Sequence, residues 1–249
     1  MPAERGQEMT GISWKSGNIS LDIPFSVSGL STVMLLANPD SCSMVECGDG
    51  AASYIYSLYG RKIEKYESLK NVLITHEHLD HAGGLNSLLW LMEVAGRKSE
   101  LRVITPEGAG GRVHRMASAL KDRLHFRVSF IDITRRNRVE LDGLVVSSFR
   151  TRHRDSTPAN RCGDPVPSAG YVIETGGRSI LFSGDTGPVK LLDEKCASAD
   201  LSVIESTWEE PFECDGLHLT VRQAIEYGSL SKDFILVHPL RDREGGIIF

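Results

Sequence analysis

Apolar and polar positions along the chain follow two different periods, which predicts a fold that mixes strands and helices. Short apolar runs rich in β-branched residues, each bounded by Gly, Pro, Asn or Ser, are typical of strands. Such runs occur throughout the sequence, so we predict strands at residues 12–14, 19–23, 32–36, 43–46, 72–74, 101–105, 126–133, 144–149, 168–174, 179–182, 201–204 and 234–237.

Other segments carry apolar residues at every third or fourth position, the spacing of one helix face. Ala51, Ile55 and Leu58 form one such set, and Leu85, Leu88, Leu89 and Met92 form a second. Further helices are predicted at residues 106–120, 189–192 and 220–227. Both halves of the chain therefore mix strands with helices. We predict an α/β fold in which two sheets pack face to face with helices outside, an αββα sandwich, as a single domain over residues 1–249.

Composition narrows the class of protein. An apolar fraction of 41% and a charged fraction of 24% are ordinary for a soluble protein of 249 residues. The net charge of −5 disfavours a generally basic surface for nucleic acid. Five cysteines without a C-x-x-C pair favour a reducing compartment, where cysteines act as small apolar side chains. Without a signal-like or membrane-spanning apolar run, we expect a cytoplasmic protein with no membrane partner.

A dense group of metal-binding side chains follows the predicted strand at residues 72–74. His76, His78, Asp80 and His81 lie within six positions, directly before Ala82-Gly83-Gly84. Packing so many polar groups unpaired into a core would cost several kcal/mol. The carboxyl end of a strand is also where α/β sheets usually place their sites. This stretch therefore predicts a metal site.

Three more candidate ligands stand just after predicted strands, namely His153, Asp185 and His238. Together with the first group they could form two nitrogen-rich sites that share one carboxylate. Imidazole and carboxylate suit Zn²⁺, and also iron or Mn²⁺, and no thiolate joins the pattern. A closely spaced metal pair can generate hydroxide near neutral pH and stabilise charge during an in-line displacement.

The segment T-H-E-H-L-D-H-A-G-G at residues 75–84 resembles the H-x-H-x-D-H signature of the metallo-β-lactamase superfamily. His153, S-G-D-T-G-P at 183–188 and His238 follow in that superfamily's order, so the resemblance covers residues 31–240. It implies an αββα sandwich and a hydrolase with two metals, usually Zn²⁺. Carried over to this chain, one metal is held by His76, His78 and His153, and the other by Asp80, His81 and His238, with Asp185 bridging.

Four further segments resemble the ribonuclease Z branch of the superfamily. E-C-G-D-G at 46–50 is similar to its D-C-G-E-G with both acids changed, and P-S-A-G-Y-V at 167–172 resembles the stretch after its third motif. E-S-T-W at 205–208 and L-H-L-T at 217–220 look like its E-A-T-F and G-H-S-T. The resemblance implies that His218 protonates the leaving oxygen and that Glu205 steadies His218, with Asp80 as a further catalytic residue.

The chain departs from ribonuclease Z in the interval between His153 and Asp185. That interval is too short for the glycine- and proline-rich arm that grips tRNA in the tRNA-processing members. Relatives without the arm hydrolyse small phosphodiesters. We therefore expect a dinuclear metal-dependent phosphodiesterase that cleaves a small or cyclic nucleotide-type phosphodiester by attack of metal-bound hydroxide. Arg150, Arg152 and Arg154 could clamp a phosphate, or could be solvated charges at a strand end.

Other functions stay open at this point. The first is ribonuclease Z-type endonucleolytic cleavage at the tRNA 3′ end, with RNA as the partner. The second is hydrolysis of a lactone or thioester, which Glu205 and the segment at 217–220 disfavour. A binding module without catalysis is disfavoured by the complete ligand set, and a di-iron redox protein by the lack of room for a flavin domain. By analogy with relatives, the chain is expected to form a homodimer.

Overall fold

The strands form two sheets in the computed structural model, which describes residues 11–134, 138–155, 162–210, 214 and 217–240. The first sheet has seven strands and the second has six. In chain order the strands are β1 Ile12–Ser16, β2 Ile19–Val27, β3 Ser31–Ala37, β4 Cys42–Cys47, β5 Leu69–Leu73, β6 Leu101–Thr105, β7 Val128–Asp132, β8 Arg138–Leu141, β9 Leu144–Arg150, β10 Ala169–Thr175, β11 Arg178–Phe182, β12 Leu201–Glu205 and β13 Asp233–Val237.

Each sheet begins with antiparallel hairpins and ends with parallel strands. The first sheet has the order β1-β2-β3-β4-β5-β6-β7 and is parallel from β4 onwards. The second has the order β13-β12-β11-β10-β9-β8 and is parallel from β11 to β13. The parallel strands of one sheet share a carboxyl edge, where a site is expected.

Helices cover the outer faces of both sheets. They are α1 Ala51–Tyr59, α2 Ile63–Ser68, α3 Leu79–Ala82, α4 Leu85–Val94, α5 Ala109–Ser118, α6 Lys190–Ala197 and α7 Val221–Gly228. Residues of α1, α4 and α5 pack on the first sheet, and residues of α6 and α7 pack on the second. A third buried cluster contains apolar residues from both sheets, including Leu21, Val45, Tyr171 and Ile180. The predicted αββα sandwich is confirmed.

Most predicted strands and helices are confirmed, with boundaries that differ by a few residues. The helix predicted from residue 106 begins at Ala109, and the strand predicted at 126–133 is Val128–Asp132. Of the elements given above, α2, α3 and β8 were not predicted. The expectation that all cysteines act as small apolar side chains is wrong for two of them. Cys162 and Cys214 form a disulfide, whereas Cys42, Cys47 and Cys196 are buried free thiols.

The Arg97 side chain ties α2 to the start of β6 from a fully buried position. Its Nη1 donates to the carbonyl of Tyr66, its Nη2 to Glu100 O at 2.8 Å and its Nε to Ser99 O at 3.0 Å. Burial lowers the pKa of Arg97 to about 10, so the guanidinium stays charged at neutral pH. One side chain thus satisfies three backbone carbonyls.

Replacing Arg97 by Met is expected to lower the free energy of unfolding by about 3 kcal/mol, because three carbonyls lose their donor and each buried unsatisfied group costs about 1–3 kcal/mol. The urea midpoint measures this loss. Arg127→Met is the matched control, because that side chain is 79% exposed and should change stability by less than about 0.5 kcal/mol. Equal midpoints for the two variants would contradict the role given to Arg97.

No helix in the described part of the chain is long and apolar enough to cross a bilayer.

Candidate metal centre

The predicted site residues gather at the carboxyl edges of the two sheets. The chain leaving β5 carries His76, the chain leaving β11 carries Asp185, and His238 directly follows β13. His78 lies at the N-terminus of α3, and Asp80 and His81 lie within α3. Close packing at this edge depends on Gly84, whose N–H donates to Cys47 O at 2.9 Å and where a Cβ would overlap the Gly48 carbonyl. The segment at residues 75–84, the motif loop, therefore lies directly on the end of β4.

The described residues form five overlapping groups of three candidate ligands, and two of these contain none of Asp185, Glu205 and His218. In the first, ligand atoms of His76, His78 and His153 lie within 4.8 Å of one another, with His153 Nε2 at 3.2 Å from His78 Nδ1. In the second, the same limit holds for Asp80, His81 and His238. His238 Nε2 lies 3.1 Å from His81 Nε2 and 3.3 Å from Asp80 Oδ2. These are the two triplets that the family resemblance implies.

Asp185 stands between the two groups, as expected of a shared ligand. Its Oδ2 lies 3.8 Å from His76 Nε2 and from His153 Nε2 on one side, and 3.3 Å from His81 Nε2 on the other. The side chain is 3% exposed. Burial would raise the pKa of Asp185, but the attraction of His238 and His81 outweighs burial and holds that pKa well below its usual range. The carboxylate is therefore charged.

The protonation of His76 and His153 fits metal binding. Burial and the neighbouring imidazoles hold the pKa of His76 well below its usual value, and burial lowers the pKa of His153 to about 3. Both rings are therefore neutral, the form that binds a metal. His76 Nε2 is fully buried without a hydrogen-bond partner among the described residues. A buried lone pair aimed at Asp185 and two more imidazoles fits a Zn²⁺-type ion.

Four of the five candidate histidine ligands have a hydrogen-bond partner on the other ring nitrogen, as metal-binding imidazoles usually do, and the fifth, His81, has an ion-pair contact there. His76 Nδ1 lies 3.0 Å from Thr75 Oγ1, and His153 Nδ1 donates to Leu217 O at 2.8 Å. The remaining contacts are His81 Nδ1 with Glu46 Oε1 at 3.2 Å, His238 Nδ1 with Thr207 Oγ1 at 3.0 Å, and His78 Nε2 with Asp155 Oδ1 at 2.6 Å.

Glu46, the first residue of the E-C-G-D-G segment, is buried and contacts residues of the motif loop. It accepts from Thr75 N at 3.1 Å and from Thr75 Oγ1 at 2.5 Å, beside its contact with His81. Its φ of 62° lies in the left-handed region, which costs a residue other than Gly about 1–3 kcal/mol. Sequence reasoning gave Glu46 no role beyond the motif match. The longer Glu side chain allows contact with Thr75 and His81 together.

His218 and Glu205 form a hydrogen-bonded pair at the same edge. His218 Nδ1 lies 3.0 Å from Glu205 Oε1 and 3.8 Å from Asp185 Oδ2. Glu205 also accepts from the backbone N–H groups of Thr186, Thr207 and Leu219 at 3.1 Å each, which fixes the carboxylate. Burial would lower the pKa of His218, but the charge and hydrogen bond of Glu205 outweigh burial and raise it. Glu205 therefore favours the protonated form of the imidazole.

A cleft of about 690 Å³ opens beside His153. Its lining includes Arg150, Arg152 and Arg154, with Glu107 as its acidic residue among the described positions. Arg150 is exposed, and Arg154 Nη1 donates to Gly163 O at 3.0 Å. A separate space behind His81 and Asp185 measures about 10 Å³, enough for little more than one water. A substrate must therefore approach the centre from outside.

The chain is similar to proteins named for phosphodiester cleavage. Zinc phosphodiesterase ELAC protein 2 of Macaca fascicularis is 25% identical over 240 residues, which is 89% of this chain and 29% of that protein. The chain thus spans less than a third of that relative. Ribonuclease Z of Bradyrhizobium diazoefficiens is 26% identical over 244 residues, which covers 78% of this chain and 79% of that protein.

Fold comparison and family matching agree with the architecture. The crystal structure of the metallo-beta-lactamase fold protein YhfI from Bacillus subtilis has a TM-score of 0.72 at 14% identity and covers 90% of this chain and 87% of that chain. The family described as "Beta-lactamase superfamily domain" matches residues 55–233, which include every candidate ligand except His238. On that match over most of its length, the chain belongs to the beta-lactamase superfamily domain family.

Proposed function

We propose that this chain is a dinuclear metal-dependent phosphodiesterase that hydrolyses a small or cyclic nucleotide-type phosphodiester. The observation that carries the proposal is the His218–Glu205 pair beside the candidate metal ligands. An imidazole held at 3.0 Å from a fixed carboxylate that raises its pKa suits a reaction whose leaving group must gain a proton. The names of the relatives, zinc phosphodiesterase and ribonuclease Z, agree with metal-dependent phosphodiester hydrolysis.

The ligand assignment follows the two groups of three. His76, His78 and His153 would hold one ion, Asp80, His81 and His238 the other, and Asp185 would bridge them. Two Zn²⁺ suit this donor set, with Mn²⁺ or iron as alternatives. When bound, such a pair lowers the pKa of bound water and neutralises charge on a phosphoryl group. The imidazole and carboxylate ligands of the chain would set the positions of the two ions, and so the position of their positive charge.

His218 is the residue that would protonate the leaving oxygen. Its Nδ1 is used by Glu205, so Nε2–H is the donor left for substrate. Glu205 in turn is fixed by backbone N–H groups from two loops, which holds the imidazole in one orientation. After proton transfer the neutral imidazole remains hydrogen-bonded to Glu205. The chain thus supplies a general acid in a defined position.

The cleft beside His153 favours a small substrate. Its volume of about 690 Å³ falls within the range of about 300–1,000 Å³ found for small-molecule sites. Arginine side chains on its lining can pair with phosphate oxygens through parallel N–H groups. The β10–β11 hairpin takes up 14 of the 31 residues between His153 and Asp185, which leaves little chain for a tRNA-gripping arm.

Turnover of four substrates side by side tests the proposal. Bis(p-nitrophenyl) phosphate, a 2′,3′-cyclic mononucleotide, pre-tRNA and a thioester are offered to protein loaded with Zn²⁺ or Mn²⁺. We expect hydrolysis of the first two. Activity on pre-tRNA alone would favour tRNA 3′-end cleavage, the function that the names of the ribonuclease Z relatives support. Activity on the thioester alone would favour carbonyl chemistry.

Removing metal is expected to lower the melting temperature by about 5–10 °C. An ion that binds only the folded chain adds about 2.7 kcal/mol at a concentration of 100 Kd, and 1 kcal/mol shifts a domain of this size by about 2–4 °C. Calorimetry before and after a chelator, then after adding Zn²⁺ back, measures the shift. An identical melting temperature in all three samples would contradict metal binding.

A further inference from the structure

We propose that Asp155 is a positioning residue that fixes His78 as a metal ligand, a role that rests on the proposed function. Asp155 lies outside the motifs that resemble the superfamily, between His153 and the P-S-A-G-Y-V segment. Its Oδ1 lies 2.6 Å from His78 Nε2, across a sequence separation of 77 residues. The outer nitrogens of His81 and His238 also lie near carboxylates, at 3.2 Å from Glu46 Oε1 and 3.5 Å from Asp185 Oδ1, but the contact of His78 is the shortest of the three.

The chemistry of imidazole gives this contact a direction. A neutral ring carries one N–H and one lone pair, and a carboxylate can only accept. With Nε2–H donating to Asp155, the lone pair of His78 is on Nδ1. That atom is the one that faces the centre, 3.2 Å from His153 Nε2. Asp155 therefore selects the tautomer that binds metal, and its negative charge makes Nδ1 a stronger donor.

Backbone hydrogen bonds hold the chain around Asp155 in place. Asp155 N donates to Asp164 O at 2.9 Å, and Val166 N donates to His153 O at 3.1 Å. These bonds form a narrow antiparallel ribbon, which includes the pairing of Arg154 with Pro165. Gly163 is buried against this ribbon, and a Cβ there would overlap the Asp155 carbonyl oxygen. The same ribbon thus carries both the candidate ligand His153 and Asp155, which contacts His78.

Asp155 suits a positioning role better than a structural one. Its side chain is 51% exposed, and the side chain of His78 is 26% exposed, so the contact contributes little to the buried core. A solvent-exposed ion pair is worth about 0–1 kcal/mol of stability. The value of the contact is therefore expected in metal affinity, where removing such an outer partner typically costs 10–100-fold.

Chelator competition that resolves the Kd of each bound Zn²⁺ tests the inference. Wild type is expected to bind two ions. Asp155→Asn should weaken one of them by about 10–100-fold and leave the other little changed, and Asp155→Glu should recover part of the loss. Asp164→Asn is the matched control, because it removes an exposed carboxylate from the same ribbon but keeps the backbone carbonyl that holds Asp155.

A second variant separates position from charge. Gly163→Ala keeps the Asp155 carboxylate but displaces its backbone, so it should weaken the same ion that Asp155→Asn weakens. Cobalt substitution adds a spectroscopic readout, since a change of tautomer at His78 alters the absorption of the ion it binds. Two tight ions in wild type and in Asp155→Asn alike would overturn the role of Asp155 alone. No metal bound by wild type would overturn the proposed function as well.

Discussion

Replacing His218 by Ala is expected to lower kcat on a cyclic nucleotide by about 10²–10⁴ while both metals stay bound. The physical reason is the basicity of the leaving oxygen. An alkoxide that leaves without a proton is a high-energy species, and the imidazole held by Glu205 supplies the proton where that charge develops. Thr207 Oγ1, which also lies 3.2 Å from His218 Nδ1, has no proton acidic enough to replace it.

The leaving group separates this role from a general disturbance of the site. p-Nitrophenolate is weakly basic and leaves with little help from an acid. The loss in His218→Ala should therefore be much smaller on bis(p-nitrophenyl) phosphate than on the cyclic nucleotide. His125→Ala, a change at an exposed histidine paired with Glu93, is the control and should leave both rates unchanged. Equal losses on both substrates would sink the general-acid assignment.

Metal content and pH add two independent checks. His218 also forms a group of three candidate ligands with His153 and Asp185, so a variant that loses metal would assign His218 as a ligand. A general acid must be protonated, so activity should fall as pH rises through its pKa. Glu205 raises that pKa, which extends activity to higher pH than an ordinary histidine would allow. His218→Ala should lack this alkaline limb.

The sequence predicted the parts of the site that follow directly from strands. His76, Asp185 and His238 all stand within a few residues of an apolar run, because a strand that ends at one edge delivers the next residues there. His78 then stands directly before α3, and Asp80 and His81 lie within this short helix. Their roles as ligands stay a prediction, as do the single domain and the cytoplasmic location.

Other features depend on contacts that no local pattern encodes. Asp155 meets His78 only because an irregular ribbon folds back on itself, and Cys162 meets Cys214 across 52 residues without a spacing motif. α2 has one buried residue, Tyr66, and therefore no apolar period to detect. A signal did exist for β8, since Asp142-Gly143 is a typical hairpin turn and both residues have positive φ.

Replacing Asp185 by Asn is expected to remove most bound metal and to lower kcat/KM on every substrate by at least about 10³. Asp185 is the carboxylate that lies near both groups of histidines, with Oδ2 3.8 Å from His76 Nε2 and 3.3 Å from His81 Nε2. Asn keeps the shape but removes the negative charge that a shared ligand contributes. Metal ions supply several kcal/mol of charge stabilisation to hydrolysis, and about 4 kcal/mol corresponds to 10³ in rate.

The losses expected for Asp185→Asn differ from those expected for His218→Ala in how they depend on the leaving group. Loss of the shared carboxylate should affect good and poor leaving groups alike, because charge neutralisation at phosphorus is needed for both. Asp193→Asn, at an exposed position on α6, is the matched control and should retain full metal content and rate.

The surroundings of His81 give the structural reason for expecting Asp185→Asn to fold. Burial would lower the pKa of His81, but Asp185 and Glu46 together hold it well above the usual value. When Asn replaces Asp185, Glu46 Oε1 remains 3.2 Å from His81 Nδ1, so the His81 ring keeps one negatively charged partner. Two ions retained at full occupancy in Asp185→Asn would show that each site is complete without a shared ligand.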